Sequence, residues 1–157
     1  MRMSEGVEWA LHCCLTLVWL GDEEAVPTAR LARGFDLPPA YLNKFLQSLV
    51  KAGILTSSAG AKGGFRLARG PEKITLLDVV TAIEGPDEAF QCTEIRRRGA
   101  GCKADASEFA RPCGIAVAMR RAEAAWRREL DAQTIADLNR TVPRRNVERV
   151  RQWHETH

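Results

Sequence analysis

The residues best suited to chemistry are three cysteines, Cys92, Cys102 and Cys113, with nine residues between the first two and ten between the last two. Their thiolates are soft donors for iron and nucleophiles toward oxidants. Cys113 follows Pro112 at an expected helix start, where the positive end of the helix dipole favours the thiolate. Zinc fits less well, because no C-x-x-C pair is present. Cys13 and Cys14 stand beside His12 in an apolar run. Neighbouring helical side chains diverge by roughly 100°, so these three cannot all face one ion and are read as core. The histidines His12, His154 and His157 are scattered, and no nucleophile-base pair or phosphate-cradling loop appears. The chain is not expected to be an enzyme.

A second constellation is electrostatic. Net charge is only +3 over 157 residues, so any nucleic-acid footprint must come from clustering. Arg30, Arg33, Lys44, Lys51, Lys62, Arg66 and Arg69 all fall in a segment where Asp36 is the only acid. In the middle of it, YLNKFLQSLVK places Tyr41, Leu42, Phe45, Leu46, Leu49 and Val50 one helical turn apart and leaves Asn43, Lys44, Gln47 and Lys51 outward. Gly53 can end that helix in a left-handed conformation. Extended runs at 54–56 and 64–67 then flank a glycine-rich turn tipped by Lys62.

The elements that must position these residues follow from the rest of the chain. Residues 4–20 form an apolar helix with almost no wet face. Pro27 and Thr28 offer a cap for a short helix through Arg33, residues 34–37 make a turn, and Pro39 suits the first position of the next helix. Thr75 with Asp78 makes a variant capping box for a helix that faces Leu76, Leu77, Val80 and Ile83 inward. Residues 86–112 lack a steady period, and a loop of that length is usually functional or disordered. Ile115, Met119, Ala122, Trp126 and Leu130 then stripe a long helix suited to pairing between two subunits. Thr134 caps a last short helix, and the tail from Arg140 reads as loosely held. The fold class expected is mainly α with a small β-hairpin wing, a winged helix-turn-helix plus a long dimerisation helix. Its divisions are 1–85 for the winged helix-turn-helix, 86–112 for the cysteine loop, 113–139 for the dimerisation and short helices, and 140–157 for the tail.

The order and spacing of LPPAYLNKFLQSLVKAGIL, GAKGGFRLAR and ITLLDVVTAIEG resemble the winged-helix repressors of the Rrf2 family, the IscR- and NsrR-type regulators, from about the N-terminus to Trp126. The resemblance implies a homodimer on a palindromic operator in double-stranded DNA, with Thr28, Pro39, Ala40, Tyr41, Asn43, Lys44, Gly60, Lys62, Gly63 and Arg66 at the duplex. Tyr41 would reach a phosphate or base edge, and Asn43 and Lys44 would make the specific contacts. Where the family often places an arginine before the first wing glycine, this chain has Ala59, so minor-groove reading is either weaker here or passes to Lys62 through its longer reach. The resemblance also implies an iron-sulfur cluster, 2Fe-2S favoured over 4Fe-4S, on Cys92, Cys102 and Cys113, with Glu8 as the fourth donor from a partner subunit. The cysteine spacing is wider than is usual in the family.

Other readings stand beside the redox, nitrosative or iron-sulfur sensing repressor. They are a cluster-free thiol switch, a regulator that answers to a small molecule, and a winged-helix adaptor that binds protein. The N-terminus lacks the pattern of a secretory signal and no stretch reaches membrane-span length, so a cytoplasmic protein without a membrane partner is expected. Five cysteines in that compartment are reduced thiols, metal ligands or redox sensors before they are structural disulfides.

Overall fold

The computed structural model describes residues 3–157, which fall into two units. One unit comprises the described residues up to Pro86 together with Leu130–His157, and the other comprises Asp87–Glu129.

The larger unit is built round helix α1, Glu5–Leu20, whose Val7, Ala10, Cys13, Cys14 and Leu17 are buried. A helix apolar on nearly all sides is stable only when it is covered on nearly all sides. Here α2 (Thr28–Gly34) and α3 (Pro39–Lys51) form the helix-turn-helix, followed by α4 (Leu76–Glu84), α6 (Ile135–Thr141) and α7 (Arg144–Thr156). Helices α3, α4, α6 and α7 all pack on α1. At Gly6 of α1 the fit is tight enough that a methyl group would stand 2.5 Å from the Phe45 ring of α3.

The wing is an antiparallel pair, β1 (Leu55–Ser58) and β2 (Gly64–Leu67), registered Leu55 to Leu67 and Ser58 to Gly64. Val26 extends it by exchanging two backbone hydrogen bonds with Phe65, of 3.0 and 2.9 Å. Gly64 is required there. Its φ is +152°, and a Cβ would lie 2.4 Å from the Val26 carbonyl.

Caps set the remaining boundaries. Thr75 and Asp78 form a reciprocal capping box on α4, and Thr134 and Asp137 form another on α6. The two helix starts are then tied together, since Leu76 N–H donates to the Gln133 carbonyl and Ile135 N–H to the Ile74 carbonyl, both at 2.9 Å.

Three expectations are corrected. Thr28 is the first residue of α2 and not its cap, because Pro27 holds the cap position in an extended conformation. On α3 the inward face is Leu42, Phe45, Leu46 and Leu49, while Tyr41 is exposed with its ring edge-on to Phe45 at 5.2 Å. The tail is not loosely held. It forms α7, whose Val147 and Val150 pack on the core and whose His154 is buried.

In the smaller unit, three short 3₁₀ turns, Ile95–Arg97, Gly99–Gly101 and Ala106–Phe109, fold the loop that precedes α5, Gly114–Asp131. The last two residues of α5 belong to the larger unit. Arg96 organises the loop, with its guanidinium on both carboxylate oxygens of Glu94, on the Arg111 carbonyl and over the Phe109 ring at 5.4 Å. Arg97 stacks on the same ring at 4.6 Å.

Candidate nucleic-acid interface

Helix α3 begins at Pro39, after a turn in which Asp36 adopts a left-handed φ of 53°. Ala40, Tyr41, Lys44, Gln47 and Lys51 are exposed along it. Asn43 is half-buried, and its Oδ1 accepts a hydrogen bond from Thr28 Oγ1 at 3.4 Å. That contact links the two helices of the motif and leaves the amide N–H₂ of Asn43 as its donor.

At the wing, Lys62 is exposed in the turn and has no side-chain partner among the described residues. Gly60 carries a φ of +97°. Gly63 has no room for a side chain, since a Cβ would stand 2.3 Å from the Ser58 carbonyl. Arg66 is exposed on β2 and donates to the Glu23 carbonyl at 3.3 Å. Cationic tips next to a polar helix face suit a duplex, in which phosphates attract charge and base edges accept and donate hydrogen bonds.

Not every cation in the basic segment is available for this. Arg30 donates to the His154 carbonyl at 2.5 Å and Arg33 to the His157 carbonyl at 2.7 Å, so both serve the carbonyl end of α7. Arg69 donates to the carbonyls of Gly53 and Lys73 and pairs with Asp78 at 3.0 Å. The sequence pooled these three arginines with the reading surface, whereas the fold employs them as ties. Val147, Val150 and His154 recur at helical spacing in the tail, and that pattern is the signal by which α7 could have been found.

The cysteines divide by environment. Cys13 and Cys14 are fully buried free thiols. Burial pushes the Cys14 thiol up to about 12 and Cys13 further still, which makes both inert. Cys92 and Cys102 are exposed, and Cys113 is half-buried. The backbone N–H groups of Ala116 and Ile115, at the start of α5, hold the Cys113 thiol below the usual range, with a further contribution from the Arg96 guanidinium. Arg96 is itself held protonated by its Glu94 hydrogen bond first, and then by the charges of Glu94, Cys113 and Cys92.

The three loop thiols do not converge. Among the described residues, no group of three Cys, His, Asp or Glu side chains is arranged to hold a metal ion, so this arrangement does not fit an iron-sulfur cluster. Glu8 is exposed on α1. No described helix is long and apolar enough to cross a membrane.

A family model described as Rrf2, iron-dependent transcriptional regulator, matches residues 3–141. The chain belongs to the Rrf2 family. NsrR of Geobacillus kaustophilus is 30% identical over 138 residues, spanning 88% of this chain and 89% of that one. The Rrf2 protein of Nitratidesulfovibrio vulgaris is 30% identical over 147 residues, spanning 89% and 88%. Among solved structures, CymR, the global cysteine regulator of B. subtilis, superposes with a TM-score of 0.67 at 22% identity over 91% of this chain and 99% of its own. T. potens IscR gives a TM-score of 0.62 at 20% identity over 88% and 85%. These structures share the winged-helix fold, and the Rrf2 family makes the chain a transcriptional regulator.

Proposed function

We propose that this Rrf2 regulator is a homodimeric repressor that reads a palindromic DNA operator and loses it when Cys113 is oxidised. The observation that carries the reading is the set of exposed polar and cationic side chains on α3 and the wing, namely Tyr41, Lys44, Gln47, Lys51, Lys62 and Arg66. Helix α3 would lie in the major groove with the Asn43 amide and Lys44 toward base edges, and the wing would bring Lys62 to the minor groove or its phosphates. Pro39, Ala40, Gly60 and Gly63 would let the backbone come close, and Thr28 would hold Asn43 in register.

Pairing is supported by α5. Ile115 and Met119, one turn apart on one face, are 63% and 42% exposed in a single chain, and an apolar stripe of this kind is stable when a second copy covers it.

The sensing step uses this chain's thiols. A peroxide, as two-electron oxidant, takes the Cys113 thiolate to sulfenic acid with release of hydroxide. The Cys92 thiol, which shares Arg96 with Cys113, then displaces water to give the disulfide. A cluster on Cys92, Cys102 and Cys113 is supported by the family's iron-dependent description and by the NsrR and IscR matches, but not by the arrangement of the thiols. Iron and acid-labile sulfide assayed in anaerobically purified protein separate the two readings.

The deciding test is the salt dependence of binding to an operator. Removing one cation that neutralises a phosphate lowers the slope of log K against log salt by about 0.9. Lys62→Ala should lower it by about that amount, and an unchanged slope would refute the assigned wing contact.

A further inference from the structure

We propose that the cavity enclosed by α1, the turn after α2, and α7 is an effector site for a small carboxylate with an apolar, ring-bearing body. This goes beyond the thiol reading, and its first test needs no DNA.

The cavity has a volume of about 400 Å³, within the range of roughly 300–1,000 Å³ typical of small-molecule sites. Leu15, Trp19, Phe35 and Val150 supply an apolar wall. Trp19 commits its indole N–H to Asn139 Oδ1 at 2.7 Å, so toward a ligand it offers only ring surface. His12, Arg149 and His154 line the space together with Asn146, and no Asp or Glu does. Arg149 is exposed, without an acid partner among the described residues, and its planar guanidinium matches a carboxylate in two parallel hydrogen bonds.

His154 is the second, independent pointer. It is 4% exposed, and its Nδ1 is buried without a hydrogen-bond partner among the described residues. Native interiors rarely leave such an atom unsatisfied, and a bound group that turned the ring toward the cavity would give it a partner. Burial first, and the nearby Arg30 charge second, hold its pKa below the usual histidine value. The ring is therefore neutral and able either to accept or to donate.

The location gives the site a consequence. Gly34 and Phe35 belong both to the lining and to the helix-turn-helix turn. Helix α7, which lies beyond the residues 3–141 of the family match, holds α2 through the carbonyls that receive Arg30 and Arg33. An acid wedged here presses on the junction that sets α2 against α3, and it changes DNA affinity to the extent that it prefers one arrangement.

The test is thermal melting of the full chain with phenylacetate, indole-3-acetate and benzoate, and with phenylacetamide as the uncharged isostere of the first. At least one acid should raise the melting temperature saturably, with no rise for the amide. Arg149→Gln should weaken that acid about tenfold or more while leaving the unliganded melting temperature unchanged. Val150→Trp, which fills the space, should abolish binding. If the tryptophan variant fails to fold, the acid-amide comparison in Arg149→Gln decides alone. No shift with any acid at millimolar concentration, equal shifts for acid and amide, or an acid shift untouched by Arg149→Gln would each overturn the proposal.

Discussion

Arg69 reads in the sequence as one more cation of a basic segment, but its guanidinium bonds two carbonyls and Asp78 and so fastens the wing to the start of α4. Charge-assisted hydrogen bonds of this kind contribute most when shielded, and this group is partly exposed, so Arg69→Met should cost about 1–2 kcal/mol in urea unfolding. Lys62→Ala should leave that stability unchanged. Cys113 shows the opposite case, in which local sequence was enough. Pro112 and the helix start announced a favoured thiolate, and the N–H groups of Ile115 and Ala116 provide it. Alkylation of Cys113 by iodoacetamide, followed by mass spectrometry, should therefore reach half-maximal rate at a lower pH in the folded protein than in urea, and coincident profiles would exclude a folded-state thiolate. His154 gives a sign for acid sensitivity. Its folded pKa lies below the unfolded value, so the unfolded chain binds the proton more readily and stability falls as pH drops through about 6.5 toward the lower folded pKa. His154→Gln should flatten the difference in urea midpoint between pH 7.5 and pH 5.5.

At the scale of elements, the parts legible in the sequence are those that depend on local chemistry. The period of α3, Pro39 at its first position, the glycine turn of the wing and the capping residues Thr75 and Thr134 all act within a few residues of themselves. What was not legible depends on distant surfaces. An arginine-rich tail has no intrinsic reason to be ordered, and α7 forms because Val147, Val150 and His154 find α1 and α2 already assembled. Arg30 and Arg33 could not be separated from the reading cations until their carbonyl partners were known. The loop thiols present the same difficulty, because spacing alone does not say which of them share a neighbour. The wing offers a direct check. In Gly63→Ala the new Cβ would meet the Ser58 carbonyl, so the hairpin turn must open while the helical core, which does not touch it, persists. Circular dichroism should be unchanged and duplex affinity should fall about tenfold or more.

For the molecule as a whole, two copies are expected to be joined through α5 and to offer two α3-wing pairs to one duplex. Ile115→Asp with Met119→Asp should convert the dimer to monomer in sedimentation and cost operator affinity without unfolding either unit, because both side chains are largely exposed in the single chain. The most direct measurement of DNA reading is selection of binding sites from a random duplex library, performed side by side with the parent protein, Asn43→Ala and a Lys44→Ala, Lys62→Ala double variant. The parent should enrich one palindromic site, Asn43→Ala should relax particular base positions within it, and the double variant should enrich nothing. Failure of the parent to enrich any sequence, or the same site recovered equally by all three proteins, would contradict the assignment of α3 and the wing as the surface that reads DNA.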